Sequence, residues 1–207
     1  MKSTVGSQMY KTEALRWEAF LSGNHQAFED LFRDKYSALY HYALRFHHQE
    51  DIAHECVQQL FCKLWESRTR LSRVENVKAY LFKALRTYLQ RESVYQQRIT
   101  HLEYSRAPIT FSPEDIIVKD ETDAYRKKII ANTLNVLPQR QREVVYLKYY
   151  EDLSYAQIAV VLQINYQSVV NLVFRAIKSL RQEDQLKKIA AFSIGTSAIT
   201  FFSYLIY

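Results

Sequence analysis

Apolar residues recur at three- and four-residue intervals along most of this chain, and nowhere do they alternate over the length of a strand. The pattern predicts one helix after another. The first ten residues carry no periodicity and read as a loose tail (1–11). A short helix follows over 12–21, stopped by Ser22-Gly23-Asn24. A long one runs over 26–46, with Phe28, Leu31, Phe32, Leu39, Tyr40 and Ala43 at helical spacing. Another covers 51–66, with Ile52, Val57, Leu60, Phe61, Leu64 and Trp65 as its apolar positions. Residues 77–98 read as a helix with Leu81, Ala84, Leu85 and Tyr88 inward. Lys83, Arg86, Thr87 and Gln90 then face outward, flanked by Tyr80 and Arg91. Only three Gly and three Pro stand in 207 residues, which suits an all-α chain.

The stretch 137–181 is patterned more finely and predicts three further helices. Pro138 suits a first helical turn, where its missing N–H would have no partner. Val144, Val145, Leu147 and Lys148 belong to a helix that ends near Glu151-Asp152. Ser154 and Gln157 form a capping box for the next, whose apolar face is Ile158, Ala159 and Leu162. Gln163-Ile164-Asn165 is the turn, and Asn165 is a good N-cap for the last helix. There Val169, Leu172, Val173, Ala176 and Leu180 line one side. Gln167, Ser168, Asn171, Arg175 and Lys178 present the other, with Phe174 at the margin. An apolar back with a polar, cationic front suits a helix-turn-helix that reads DNA. Asn and Gln can pair bidentately with adenine, and Arg with guanine. The same pattern also suits an ordinary surface helix of a bundle.

Charge sharpens the picture. The whole chain carries +6. The segment 63–98 holds nine basic residues against three acids, so it alone carries the same net charge. Arg68, Arg70 and Arg73 lie in a basic loop that closes at Asn76, and Lys78 opens the helix after it. Cations bind phosphates, and aromatic faces such as Tyr80 stack unpaired bases. A solvated basic helix is the plainer alternative. Residues 99–123 carry a net −4 with Pro108 and Pro113, and read as an extended acidic linker (99–121). At the end, 189–207 is uncharged behind Lys187-Lys188, near a bilayer-spanning length. Five Ser and Thr dilute it, so burial against protein is favoured over membrane contact. Cys56 and Cys62 suggest no disulfide framework and no secretory signal opens the chain, so reduced thiols in a cytoplasm are expected. His47, His48, His54 and Cys56 lack ligand spacing, so no metal is expected. No phosphate loop or paired nucleophile and base appears, and the chain reads as a non-enzyme without cofactor.

Two stretches resemble one family. Leu137-Pro138, Arg140 to Val144, Leu153-Ser154-Tyr155, Ile158-Ala159, Leu162, Ser168-Val169 and Arg175-Ala176 resemble the minus-35-reading domain of bacterial sigma factors, in particular the extracytoplasmic-function group. Upstream, Gly23-Asn24, Ala27-Phe28 and Leu31-Phe32 resemble the opening of that family's second domain. Glu55 to Phe61 with Lys63-Leu64-Trp65 resembles its polymerase-docking helix. Asn76, Lys78 to Leu81 and Arg86 resemble its minus-ten helix. Four positions depart from the family pattern. Gln163 stands where Gly is usual, Gln59 where an acid is common, and Val170 and Leu172 where basic residues are frequent.

The resemblance implies two small helical domains: a second sigma domain over 12–98 and a fourth, helix-turn-helix domain over 122–183, with the tail at 184–207. It implies a factor that binds core RNA polymerase and directs promoter recognition and transcription initiation. Core-binding residues would be Glu55, Gln58, Gln59, Phe61 and Trp65. The minus-ten element would meet Arg68, Arg70, Arg73, Asn76, Lys78, Tyr80, Lys83, Arg86, Thr87 and Arg91. The minus-35 element would meet Gln167, Ser168, Asn171, Phe174, Arg175 and Lys178. Partners would be core RNA polymerase, promoter DNA and an anti-sigma factor. Two rivals are a conventional helix-turn-helix regulator and a membrane-tethered interaction protein with a degenerate sigma fold.

Overall fold

The computed structural model describes residues 4–47, 49–100, 109–115 and 124–182. Regular structure among them is entirely helical: α1 (Thr4–Leu21), α2 (His25–His47), α3 (Glu50–Ser67), α4 (Val77–Thr100), α5 (Ala124–Val136), α6 (Gln139–Tyr149), α7 (Tyr155–Leu162) and α8 (Tyr166–Gln182). Two short 3-10 turns, Arg68–Arg70 and Pro113–Asp115, complete it. The chain divides into two compact units, one of residues 1–107 with 160–163 and the other of residues 108–159 with 164–207. The apolar stretch 189–207, and with it the membrane question, lies outside the described residues. Among those described, no single helix is long and apolar enough to cross a membrane.

In the first unit, α1 begins at Thr4, so the expected loose tail is helical over most of its length. Gly6 is the one helix-weakening residue there, and a single Gly costs only about 1 kcal/mol against Ala. The predicted stop is a left-handed cap. Gly23 has φ +90°, the Asn24 N–H donates to the Ala19 carbonyl at 3.0 Å, and the Gly23 N–H donates to that of Phe20 at 2.9 Å. Asn24 then caps α2, its Oδ1 accepting from the Ala27 N–H at 3.0 Å. The α2 helix packs on α1, α3 and α4. Trp17, Phe20, Leu31, Leu39, Tyr42, Val57, Leu81, Phe82 and Leu85 fill the core between them. The buried stripe of α4 is Leu81, Phe82, Leu85 and Leu89, whereas Ala84 and Tyr88 are only half-buried. Because α4 packs against three helices, its inner face includes Phe82, edge-on to Tyr42 at 5.1 Å.

In the second unit, α6 packs on α8. Val144, Val145, Tyr146 and Leu147 are buried, together with Val169, Val173, Ala176 and Leu180. The Tyr146 hydroxyl donates to Glu151 Oε1 at 2.8 Å, where α6 has ended and Asp152 turns the chain at φ +50°. Part of the expected extended linker is fixed in place. Ile109 and Phe111 are buried, and Asn135 of α5 hydrogen-bonds the Phe111 backbone. Two apolar residues in an acidic segment find a hydrophobic site, which charge counting overlooks. Residues 101–108 and 116–123 lie outside the described residues.

The predicted capping box forms in both directions. The Ser154 N–H donates to Gln157 Oε1 at 2.7 Å, and the Gln157 N–H donates to Ser154 Oγ at 3.3 Å. Beyond α7, Gln163 adopts φ +57° and the Ile164 N–H donates to the Ala159 carbonyl at 3.2 Å. This is the same left-handed cap that Gly23 makes, held by a residue with a Cβ. Gln163→Gly is therefore expected to stabilise the chain by about 0.5–1 kcal/mol. Thermal unfolding of the two chains checks this, and a lower Tm for the glycine variant would count against the strain.

Candidate functional site

The front of α8 is built from its cap downward. Asn165 Oδ1 accepts from the Ser168 N–H at 2.7 Å, which fixes where the helix starts. The back, Val169, Val173, Ala176 and Leu180, is at most 2% exposed, while Leu172 is half-buried. That burial turns Gln167, Asn171, Phe174, Arg175 and Lys178 to solvent, with Ser168 half-buried beside them. Gln167 Nε2 donates to Asn171 Oδ1 at 3.2 Å, one turn along. Each amide keeps a further donor and acceptor, so the pair still offers the pattern an adenine edge requires. Phe174 is 65% exposed, a large apolar side chain placed among polar ones. Such a group can meet a thymine methyl.

The basic segment divides into exposed cations and local fasteners. Arg70, Arg73 and Arg91 are exposed, and Arg73 Nε lies 3.3 Å from Glu18. Lys78, Lys83 and Arg86 are half-buried on α4. With the Gln90 amide oriented to accept, both terminal nitrogens of Arg86 donate to it at 3.0 and 3.1 Å. Arg68 instead folds over the Trp65 ring at 4.3 Å and donates to the Trp65 carbonyl at 2.7 Å. Asn76 caps α4, its Oδ1 accepting from the Ala79 N–H at 2.7 Å. The Thr87 hydroxyl donates back to the Lys83 carbonyl at 2.9 Å. These three shape the segment through intramolecular bonds. Tyr80 sits edge-on to Trp17 at 5.4 Å, and burial raises its hydroxyl pKa.

On α3, Glu55, Gln58 and Gln59 are exposed at helical spacing. Phe61 is not on that face. It is 2% exposed and packs on Phe32 at 4.9 Å and Phe28 at 6.0 Å, so it fastens α3 to α2 and is inaccessible to a partner. Trp65 is half-buried among His25, Phe28 and Arg68. Cys62 and Glu66 continue the exposed face. Spacing from Glu55 could have found them, since 55, 58, 59, 62 and 66 follow one helical stripe.

The two thiols differ. Cys56 is buried, and burial, with Glu92 and Glu55 nearby, pushes its pKa up to about 12. Cys62 is exposed. A thiolate-selective reagent at neutral pH is expected to label one cysteine in the folded chain and both after denaturation. Mass spectrometry of the labelled peptides checks this, and rapid labelling of Cys56 in the folded chain would contradict the packing of α3. Among the described residues no group of His, Cys, Asp or Glu comes together to hold a metal ion. His54 instead stacks on Tyr40 at 4.2 Å and hydrogen-bonds the Tyr36 hydroxyl.

Comparison with known proteins places these faces in context. The family described as Sigma-70 region 2 matches residues 31–99, and that described as Sigma-70, region 4 matches residues 127–180. Together they cover more than half of the chain. RNA polymerase sigma factor SigV of Bacillus subtilis (strain 168) is 24% identical over 144 residues, which are 69% of this chain and 81% of SigV. Among solved structures, CnrH in complex with the cytosolic domain of CnrY is similar with a TM-score of 0.56 at 23% identity, over 81% of this chain and 94% of that one. The sigma factor RpoE in complex with the anti-sigma factor NepR from Bartonella quintana is similar with a TM-score of 0.57 at 22% identity, over 75% and 94%. At these identities the structural likeness carries the fold, and the two family matches carry the membership.

Proposed function

The chain belongs to the sigma-70 family of RNA polymerase sigma factors, and on that premise we propose that it is of the extracytoplasmic-function group and that its exposed faces divide promoter recognition as follows. The α3 stripe of Glu55, Gln58 and Gln59, extended by Cys62 and Glu66, docks on core polymerase, with Trp65 at its edge. Arg70, Arg73, Lys78, Lys83, Arg86 and Arg91 hold the backbone of the minus-ten element, and Tyr80 lies where an unstacked base would come. Arg68, Asn76 and Thr87 shape that surface. Gln167, Asn171, Phe174, Arg175 and Lys178 meet the minus-35 element. Residues 12–98 and 122–183 serve as the two sigma domains.

The observation that carries this reading is α8 itself: a capped start, a back at most 2% exposed and a polar front that includes the exposed ring of Phe174. Bond-making in RNA synthesis then belongs to the polymerase, and this chain contributes binding alone in the cytoplasm. RpoE is described in complex with an anti-sigma factor. By that likeness an anti-sigma factor is the proposed regulator here.

Gel-shift assays on a promoter duplex with and without core enzyme test the assignment. A specific shift is expected only with core present. Tight sequence-specific binding by the chain alone, in the manner of a dimeric regulator, would overturn it.

A further inference from the structure

We infer that Trp17 is a positioning residue for the minus-ten face: its indole N–H fixes the path of the basic loop, and its ring fixes the seat of Tyr80. This rests on the promoter-recognition reading above. The loop runs over 71–76, between the turn Arg68–Arg70 and α4, and has no helix or strand of its own. Its shape therefore depends on contacts with neighbouring elements. The first helix, α1, supplies two of them. Trp17 Nε1 donates to the Ser72 carbonyl at 3.1 Å, across 55 positions of sequence. One residue further along each segment, Arg73 Nε lies 3.3 Å from Glu18 Oε1. Consecutive residues of α1 thus hold consecutive residues of the loop.

The two contacts are unequal. Trp17 is 1% exposed, whereas the Arg73 and Glu18 side chains are 79% and 39% exposed. An exposed ion pair contributes little, so the bond from the buried indole is the firmer one. The same ring is edge-on to Tyr80, near the start of α4, at 5.4 Å. One side chain therefore touches both ends of the stretch that presents Arg73, Lys78 and Tyr80. The α1 helix is itself fixed to α2. Lys35 Nζ lies 2.5 Å from Glu13 Oε1 with both side chains mostly buried, and Arg16 pairs with Asp34. Phe20, one turn along α1, packs on the Trp17 ring at 5.0 Å. The indole is held from behind, so a loop bonded to it meets the minus-ten strand already shaped. Ordering a loop on binding lowers affinity, and ordering it beforehand removes that loss. One hydrogen bond shifts such an equilibrium by about three- to tenfold.

The test removes the N–H and keeps the ring. Trp17→β-(3-benzothienyl)alanine retains the bicyclic shape and places sulfur where the N–H stood. A second variant, W17F, lacks the N–H and keeps an aromatic edge against Tyr80. Each full-length chain is assembled with core enzyme and titrated with a fork probe, cut from a promoter selected by the natural chain, whose minus-ten strand is unpaired. Probe affinity should fall by about three- to tenfold in the benzothienyl chain and at least as far in W17F, while core affinity stays within about twofold. Trypsin provides a readout that needs no DNA. Its cut at Arg73 in the chain alone should become about three- to tenfold faster, while cuts elsewhere over 12–98 keep their rates. If circular dichroism shows the benzothienyl chain unfolded, W17F carries the test. Unchanged probe affinity, equal losses of probe and core affinity, or an unchanged cut at Arg73 in a folded variant each overturn this inference alone. Failure of the natural chain with core enzyme to bind the probe overturns the promoter-recognition reading and this inference with it.

Discussion

Replacing Lys83 and Arg86 together with alanine is expected to lower promoter opening by about tenfold or more, while core binding stays within about twofold. Both residues are on α4, half-buried, beyond the stripe of Leu81, Phe82, Leu85 and Leu89 that holds the helix in the core. Alanine favours helix, and neither change empties a core position. The Arg86–Gln90 hydrogen bonds are local to the same helix, so their removal leaves the α3 face in place. With two cations fewer against the phosphates, the salt slope of DNA binding should fall by about two. Open-complex footprinting across a salt series, beside a competition assay for core enzyme, separates the two effects. If core affinity fell as far as opening, the outer face of α4 would meet polymerase and not DNA.

Asn171→Ala is expected to relax the minus-35 preference at one base pair, at a cost of about 1–3 kcal/mol, while Arg175→Ala weakens all sequences alike. Asn171 stands on the exposed front of α8, so its removal leaves Val169, Val173, Ala176 and Leu180 packed as before. It also releases Gln167, whose Nε2 donates to it. A modest shift in the base preferred next to the Asn171 position should therefore accompany the relaxation. Arg175 lies further along the helix, where its guanidinium reaches backbone more readily than base edges. Selection of bound sequences from a randomised minus-35 library reads both effects. An unchanged motif for Asn171→Ala would remove that residue from the readout.

Helix order was legible because it rests on local rules. The Gly23 stop, the Asn165 cap and the Ser154–Gln157 box each act within six residues, and each forms as the sequence implies. The front and back of α8 were legible for a related reason: a helix with one packed side turns its periodicity directly into exposure. The α4 face was harder. Packing against three neighbours widened its buried stripe to include Phe82 and Leu89, which a single-face reading leaves out. Phe61 lies in a contiguous motif with exposed Gln58 and Gln59, yet the turn of the helix sends it into the core. Arg68 illustrates the limit of charge counting. A cation counted towards DNA can be engaged by an aromatic ring and a carbonyl of its own chain. The Phe111–Asn135 clamp spans 24 positions and leaves no local trace in an acidic segment. The positive φ of Gln163 was inferable only from a departure in the turn, where the fold keeps the left-handed cap with a less suitable residue.

The most direct test of the central claim is run-off transcription with purified core RNA polymerase and the full-length chain, on templates selected for binding to the reconstituted complex. Transcript of defined length is predicted from templates carrying both elements. It should depend on added chain and fall when either element is scrambled. Failure of the folded chain to associate with core enzyme or to direct any start, while binding duplex DNA unaided, would contradict it.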